Sequence, residues 1–201
     1  MLEPFAIVAP MKKASSLLVV LVFGALPAFA QTSASELGVM FGGSKRIASR
    51  DQLPAGVEVD EGFDLDNSVL EVYYGVEIEP GSMFKIKAGR INTPISVQEK
   101  IGGADTQVIV DNGNVDHISG QVEYRFSEAF GSTALFAGAG LYRSSADDVE
   151  SATDYGFSFG VNGDFPLTRR YGIKVEGTYH WTALQYRPRF ITATVGLRMA
   201  F

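Results

Sequence analysis

From Ser35 onward the chain alternates apolar and polar residues with a period of two, in eight segments separated by turn residues. This period is typical of β-strands, because successive side chains point to opposite faces of a sheet. Most segments have about ten residues or slightly more, the length that a tilted strand needs to cross hydrocarbon. The eight predicted strands are Glu36–Lys45, Val69–Glu79, Met83–Arg90, Asp116–Phe126, Thr133–Arg143, Asp154–Phe165, Tyr171–Thr182 and Arg189–Phe201.

The predicted connections alternate between short turns and longer loops. The turns are Pro80–Ser82, Ser127–Ser132 and Pro166–Arg170. The connections at the opposite end are Arg46–Ser68, Ile91–Val115, Ser144–Thr153 and Ala183–Pro188, of which three are longer. This asymmetry is typical of up-and-down barrels of the bacterial outer membrane, which have short periplasmic turns and long external loops. Within the second long loop, Thr106–Val110 has strand character. We expect it to continue the barrel wall and then to turn at Asp111-Asn112-Gly113.

In seven of the eight segments one face is apolar and the other polar. In the seventh, for example, Ile173 and Val175 alternate with Lys174 and Glu176. Alternation alone would also fit a soluble β-sandwich. The fifth segment, Thr133–Arg143, has apolar residues and glycines on both faces, so its orientation stays open.

The composition of the polar face favours a barrel interior over a solvated surface. It is rich in glycine, serine and threonine, and its charges are of both signs. A narrow interior requires small residues and paired charges, because an unpaired buried charge is costly. The predicted interior charge network comprises Glu71, Glu77, Lys85, Lys87, Glu123, Arg125, Asp164, Lys174, Glu176 and Arg198.

The apolar face carries aromatic residues towards both ends of the strands. Two aromatic girdles are expected where a transmembrane barrel meets the two membrane interfaces. The girdle positions are Phe41, Phe84, Tyr124, Phe126, Tyr155, Phe165, Tyr171, Tyr179 and Trp181. Arg90 has outward parity but lies at a strand end, where its head group can reach polar surroundings.

These patterns together predict an all-β fold, an eight-stranded antiparallel up-and-down transmembrane β-barrel. In lipid every backbone N–H and C=O must be paired, so the first and last strands must join. Eight strands leave an interior just wide enough for side chains to fill it. We therefore expect an ion-paired plug inside the barrel.

The first thirty residues have the features of a secretory signal peptide. Lys12 and Lys13 precede a short apolar core, residues 17–23, and Ala28-Phe29-Ala30 has the small-x-small pattern of a cleavage site. Met11 is the expected start, and cleavage after Ala30 leaves residues 31–201 as the barrel. The chain has no cysteine, so it has no disulfides and no thiolate metal ligands. Its formal net charge is −6, and an acidic chain gives no reason to expect a nucleic-acid partner.

The chain resembles the OmpA/OmpX-type small outer-membrane barrels in its leader, its eight segments and its ending. Val195, Leu197, Met199 and the terminal Phe201 resemble the C-terminal signal that the barrel-assembly machinery reads in that family. The resemblance implies a location in the bacterial outer membrane, contact with outer-membrane lipid and lipopolysaccharide, and a monomer. Because the sequence stops at the last strand, no periplasmic peptidoglycan-binding domain is expected.

Three groups of residues could carry chemistry. His117 and Ser119 resemble the His-x-Ser of lipid A deacylase barrels, but their parity points inward. His180 and Glu176 could form a proton-linked pair or part of an interior hydrogen-bond network. The acidic residues Glu58, Asp60, Glu61, Asp64 and Asp66 could bind divalent cations, although they lack the spacing of a calcium loop.

We predict no catalytic residue, metal site or cofactor. The leading hypothesis is a non-enzymatic integral outer-membrane barrel that serves envelope integrity or surface contact through its loops. The alternatives are a narrow or ligand-conducting channel and, less favoured, a lipid A-modifying enzyme.

Overall fold

The computed structural model describes residues 34–47, 64–93, 95–101, 104–110, 113–127, 131–146, 149–184 and 188–201. The predicted leader lies outside the described residues and stays a prediction. The strands are β1 Ser35–Ile47, β2 Asp64–Glu79, β3 Ser82–Asn92, β4 Ile95–Ile101, β5 Ala104–Val110, β6 Asn114–Ser127, β7 Ser132–Ala146, β8 Val149–Pro166, β9 Tyr171–Thr182 and β10 Arg189–Ala200. Among the described residues, no helix is long and apolar enough to cross a membrane.

Eight of these strands form a closed antiparallel barrel, which confirms the predicted fold. The strand order is β1-β10-β9-β8-β7-β6-β3-β2. β1 pairs with β10 in continuous register from Glu36 opposite Ala200 to Ile47 opposite Arg189. Closure removes the free edges that an open sheet would present, so the backbone groups of the wall are paired within the protein.

The remaining strands, β4 and β5, form a separate hairpin, so the expectation that residues 106–110 continue the barrel wall was wrong. Ile95 lies opposite Val110, and Ile101 lies opposite Ala104. The hairpin reverses between Ile101 and Ala104 instead of at the expected Asp111-Asn112-Gly113. The physical reason is that β3 is already paired with β2 on one side and β6 on the other, which leaves no free edge in the wall.

Several barrel strands are also longer than the sequence pattern predicts. β2 begins at Asp64, whereas alternation begins only at Val69. β7 and β8 extend through most of the predicted loop Ser144–Thr153 and approach each other at Ala146 and Val149. The barrel wall therefore continues beyond the alternating segments at the loop end. At the opposite end, Phe201 N donates to Ser35 O at 2.9 Å, so the two ends of the barrel chain meet beside the short turns.

The structure resolves the orientation of β7 that the sequence leaves open. Leu135 and Leu141 face outward, whereas Phe136 and Tyr142 are buried inside. The two rings lie against glycines of the neighbouring strand β8. A Cβ atom at Gly156 would lie 2.6 Å from the Tyr142 ring, and one at Gly160 would lie 2.7 Å from the Phe136 ring. These glycines leave space for the two inward-facing rings. The alternation of residues within β7 does not by itself show that the rings face inward, because both of its faces carry apolar residues.

Close strand packing also makes Gly140 intolerant of a side chain. A Cβ atom there would lie 2.1 Å from the backbone oxygen of Ile118 on β6, whereas a Cβ atom at Gly177 on β9 would meet nothing within 4 Å. We therefore expect Gly140→Ala to lower the free energy of unfolding by about 1–3 kcal/mol, because the two strands must move apart. The matched control Gly177→Ala should be neutral or slightly stabilising. Urea unfolding of both variants in lipid vesicles measures this difference, and equal stabilities would contradict the strand spacing.

Candidate functional site: the charged barrel interior

The interior of the barrel contains two clusters of charged side chains, stacked along its axis. The first, here the lower cluster, lies towards the short turns and is centred on Glu123 of β6. The second, the upper cluster, lies towards the loops and is centred on Lys87 of β3. The polar residues of the strands form these clusters because the alternation of each strand turns one face of the wall inward.

Glu123 accepts contacts from cations on three strands. Lys85 Nζ contacts Glu123 Oε2, Lys174 Nζ lies 3.2 Å from the same oxygen, and Arg125 Nε lies 3.0 Å from Glu123 Oε1. Asn162 Nδ2 also donates to Glu123 Oε2 at 2.6 Å. The Glu123 side chain is fully buried. This carboxylate is therefore the common partner of most of the lower cluster.

Glu36 of β1 is the second carboxylate of the lower cluster. Its Oε1 lies 3.4 Å from both Lys85 Nζ and Lys174 Nζ, and its Oε2 lies 2.9 Å from Arg125 Nη2. The two lysines also lie over the Tyr73 ring, at 4.8 and 5.5 Å from its centroid. Glu36 is not among the residues predicted for the interior network. Its parity with Gly38, Gly42 and Ser44 would have identified it.

The upper cluster pairs Lys87 with two carboxylates. Lys87 Nζ contacts Glu176 Oε1 and lies 3.5 Å from Glu71 Oε2. Glu71 Oε1 lies 3.1 Å from His117 Nε2, and Thr178 donates its hydroxyl to Glu176 at 2.8 Å. Each of these charged side chains is almost entirely buried. The upper cluster thus holds its carboxylates with one lysine, one histidine and a threonine hydroxyl.

The ion pairs of the interior balance in charge. The pairs in the described interior, including Arg198 with Asp164, involve five carboxylates and five cations. The carboxylates are Glu36, Glu71, Glu123, Asp164 and Glu176, and the cations are Lys85, Lys87, Arg125, Lys174 and Arg198. Desolvation of this many ions is tolerable only when each has partners of opposite sign.

Glu77 is placed outside this network, contrary to the prediction. Its side chain is partly exposed near the first short turn, and its Oε1 accepts a bond from Gly81 N at 3.4 Å. The register of β2 against β3 shifts between Glu77 and Glu79, which ends the regular inward alternation at this point. The other nine predicted network residues all take part in the interior ion pairs described above.

An apolar cluster lies inside the barrel at the loop end. Its members are buried side chains contributed by the loop ends of five strands and by the segment after β9. They are Val69, Ile91, Val115, Tyr142, Leu184 and Phe190, each no more than 2% exposed. Tyr142 joins this cluster to the polar interior, since its hydroxyl lies 3.0 Å from His180 Nδ1. The loop end of the described interior is therefore occupied largely by apolar side chains.

The short-turn end is open by comparison. A cavity of about 220 Å³ is lined there by Arg125, Gly131, Ser132, Asp164, Pro166 and Arg198. Arg125 forms the boundary between this cavity and the lower cluster, because its side chain is one quarter exposed while it binds Glu36 and Glu123. Within the described residues, a cavity thus reaches the interior from the short-turn end, whereas apolar side chains pack at the loop end.

The histidines and the serine that were considered for chemistry also lie inside the barrel. His117 and Ser119 are both buried on the inner face of β6. His117 contacts Glu71 and stacks on Tyr142, with ring centroids 5.5 Å apart. His180 lies between Tyr142 and Thr192, where its Nε2 is 3.3 Å from the threonine hydroxyl. Both histidines of the chain are therefore turned away from the outer surface.

The acidic group that could bind divalent cations is largely outside the described residues. This holds for Glu58, Asp60 and Glu61, while Asp64 and Asp66 fall in the first residues of β2. Among the described residues, no group of three or more carboxylate, histidine or cysteine side chains could hold a metal ion.

The predicted girdle residues all lie on the outer surface. They are Phe41, Phe84, Tyr124, Phe126, Tyr155, Phe165, Tyr171, Tyr179 and Trp181. Some form ring contacts, with centroids 6.1 Å apart for Tyr155 and Trp181 and 4.9 Å apart for Phe159 and Tyr179. Val195, Leu197, Met199 and Phe201 also face outward along β10. The outer surface thus combines exposed aliphatic and aromatic side chains over most of its height.

Comparison with known proteins agrees with this arrangement. A family model described as an outer membrane protein beta-barrel domain matches residues 16–198. The chain is similar to the crystal structure of Neisserial surface protein A, with 14% identity and a TM-score of 0.61 over 84% of this chain and 99% of that one. It is also similar to a major outer membrane protein from Thermus thermophilus, with 10% identity and a TM-score of 0.56 over 85% and 100% of the two chains. At these identities the structural likeness shows the fold alone. No curated protein sequence matches the chain.

Proposed function

Because the chain belongs to the outer membrane protein β-barrel family and is located in the bacterial outer membrane, we propose that it is a non-enzymatic, closed barrel. In this proposal it strengthens the envelope and presents its long loops at the cell surface. Lipid, including lipopolysaccharide, surrounds the apolar outer face of a monomer. The outward side chains of β10, which end at the exposed Phe201, are the surface that the barrel-assembly machinery would contact.

The observation that carries this proposal is the closed interior. The ion pairs fill the middle of the barrel, and the apolar cluster fills its loop end with side chains that are at most 2% exposed. A conducting pore requires a continuous path for water and ions. Opening one here would require both the separation of buried ion pairs and the displacement of rings such as Phe190. Each step costs several kcal/mol by the usual magnitudes for buried charges and large core residues.

The lipid A-modifying alternative has less support. Acyl chains of lipid A lie against the outer surface of the barrel, so a modifying enzyme needs its nucleophile or base there. The chain has two histidines, and both face the interior. The His117 and Ser119 pair therefore cannot reach an acyl chain without turning β6 inside out, which would slip the register of a closed barrel.

Planar-bilayer recording tests the closed-barrel proposal. We expect the protein purified from outer membranes to give no resolvable conductance steps, because ion-paired and apolar side chains occupy the interior. A general porin inserted under the same conditions serves as the positive control, and heat-modified gel mobility shows that the protein is folded. Reproducible unit steps from the folded protein would support the channel alternative instead.

A further inference from the structure

The cavity at the short-turn end of the barrel presents charged groups of both signs. Its volume is about 220 Å³, and it is lined by Arg125, Gly131, Ser132, Asp164, Pro166 and Arg198. This volume is below the roughly 300–1,000 Å³ of sites for drug-sized ligands, so the cavity has room for several waters or one small molecule. The short turns of an outer-membrane barrel lie on the periplasmic side. The cavity is therefore accessible to small solutes of the periplasm.

Two guanidinium groups line this cavity and keep donor nitrogens outside their ion pairs. Arg125 donates to Glu123 through Nε and to Glu36 through Nη2, so its Nη1 takes no part in these bonds. Arg198 contacts Asp164 through Nε, and neither of its terminal nitrogens takes part in that contact. Because ion pairs already hold both side chains, binding an oxyanion through the remaining N–H groups costs little additional side-chain freedom.

Asp164 supplies an acceptor of opposite sign to the same cavity. Its side chain is only 3% exposed, and its Oδ2 contacts Arg198. Within the described part of the chain, its Oδ1 accepts no hydrogen bond. A buried carboxylate oxygen without a donor is costly, so this oxygen favours a donor that enters the cavity. Glycine at position 172 leaves space beside it, since a Cβ atom there would lie 3.0 Å from Oδ1.

The backbone fixes Asp164 at the rim of the barrel. Ser132, the first residue of β7, lies opposite Asp164 of β8. Gly131 precedes it with a φ of +127°, and a Cβ atom there would lie 2.3 Å from the backbone oxygen of Asp164. This φ and this close approach both favour glycine. The turn therefore packs directly against the strand that carries the carboxylate, which keeps the lining in one arrangement.

The charge balance of the interior decides which small ligand the cavity favours. The ion pairs join five carboxylates to five cations, so a ligand with a net charge would leave one charge uncompensated. A zwitterion adds no net charge. Its anionic end matches the guanidinium N–H groups, and its cationic end matches Asp164 Oδ1.

We propose that this cavity is a binding site for a small free α-amino acid. The carboxylate of the amino acid binds the guanidinium groups of Arg125 and Arg198, and its ammonium group donates to Asp164 Oδ1. An amino acid carries these two charged groups on adjacent atoms, as a cavity of this size requires. The inference goes beyond the closed-barrel proposal and does not depend on whether the interior conducts.

An NMR titration of the folded barrel tests the proposal. The isotope-labelled full chain, purified from outer membranes into detergent micelles, is titrated separately with glycine, acetate and methylamine at constant pH and ionic strength. The backbone amide signals of Gly131, Ser132, Asp164 and Arg198 report occupancy of the cavity. The test variant is Asp164→Asn. The matched control, Glu79→Gln, removes the same charge from an exposed position at the first short turn.

We expect glycine to shift these four amide signals of the wild-type protein in a saturable manner. Acetate and methylamine each carry one half of the zwitterion, so each should bind at least about tenfold more weakly, the usual effect of losing a charge-assisted hydrogen bond. Asp164→Asn removes the partner of the ammonium group and should abolish the preference for glycine over acetate. Glu79→Gln should keep that preference. The comparison of the three ligands on wild-type protein decides the proposal even if Asp164→Asn does not fold.

Three results would overturn the assignment. The first is binding of acetate as tight as that of glycine by wild type, which would make the cavity a simple anion site. The second is a set of shifts that do not saturate with glycine, which would mean that the cavity holds only water. The third is an equal loss of preference in Glu79→Gln, which would make the effect one of net charge.

Discussion

Glu123→Gln is expected to lower the free energy of unfolding by about 3–5 kcal/mol, the usual cost of removing one member of a buried ion network. Glu123 is fully buried and is the common partner of Lys85, Arg125 and Lys174. Glutamine has nearly the same shape, so the loss comes from the charge and not from a cavity. Among the described residues of the variant, Glu36 is then the one carboxylate that contacts all three of these cations, which leaves an uncompensated positive charge in the interior.

Urea unfolding in lipid vesicles, followed by gel mobility, measures this effect. The matched control is Glu77→Gln, which removes the same charge from a partly exposed position outside the ion pairs and should change stability by less than about 0.5 kcal/mol. The double variant Lys85→Gln/Glu123→Gln should be less destabilised than the sum of the single variants, because the two side chains are direct partners. If Glu123→Gln unfolded at the same urea concentration as Glu77→Gln, the lower cluster would not contribute to stability as described.

Val175→Arg, a change on the outer surface, is expected to lower the free energy of unfolding by about 2–4 kcal/mol. Val175 lies near the middle of β9 and faces outward between the inward-facing Lys174 and Glu176. Its neighbours across the strands are Val195 and Gly163, so no counter-charge is available. An arginine at this depth must either displace lipid or distort the wall to reach water.

Two further variants separate depth from side-chain size. Val175→Leu adds bulk without charge and should be nearly neutral. Tyr171→Arg places the same charge at the short-turn end of β9, where the expected cost falls to about 0–1 kcal/mol. Unfolding in vesicles of defined lipid gives all three values. A cost for Val175→Arg as small as that for Tyr171→Arg would mean that the middle of β9 does not face hydrocarbon.

Glu123 and Val175 lie on opposite faces of the same wall. The inner face tolerates lysine and glutamate because each has partners of the opposite sign, and the outer face excludes them because lipid offers none. In this protein the paired ionic groups lie inside the wall, and apolar side chains pack at the loop end of the interior.

The amino-acid sequence by itself determined the fold class and the faces of most strands. A period of two is visible within a single strand, and the lipid-facing side of a transmembrane wall must be uniformly apolar. The outward orientation of Val175, Val195 and Leu197 could therefore be predicted from the sequence. The mixed charges of the other face likewise indicated an enclosed interior, and nine of the ten residues named for it lie in ion pairs there. These features are properties of single strands, which is why a single sequence contains them.

Only the tertiary structure decided what depends on contacts between distant segments. Glu36 contacts Arg125 although the two residues are 89 positions apart in the sequence. The face of β7 that points inward depends on Gly156 and Gly160 of the next strand, which leave space for the aromatic rings of β7. The apolar cluster was not predicted for the same reason. Val69, Ile91 and Val115 lie at the boundaries between predicted strands and loops, and they pack together only when the barrel brings these strands side by side. Alternation reports which side of its own strand a residue faces. Barrel closure and register decide which residues it meets there, because they set the positions of all the other strands.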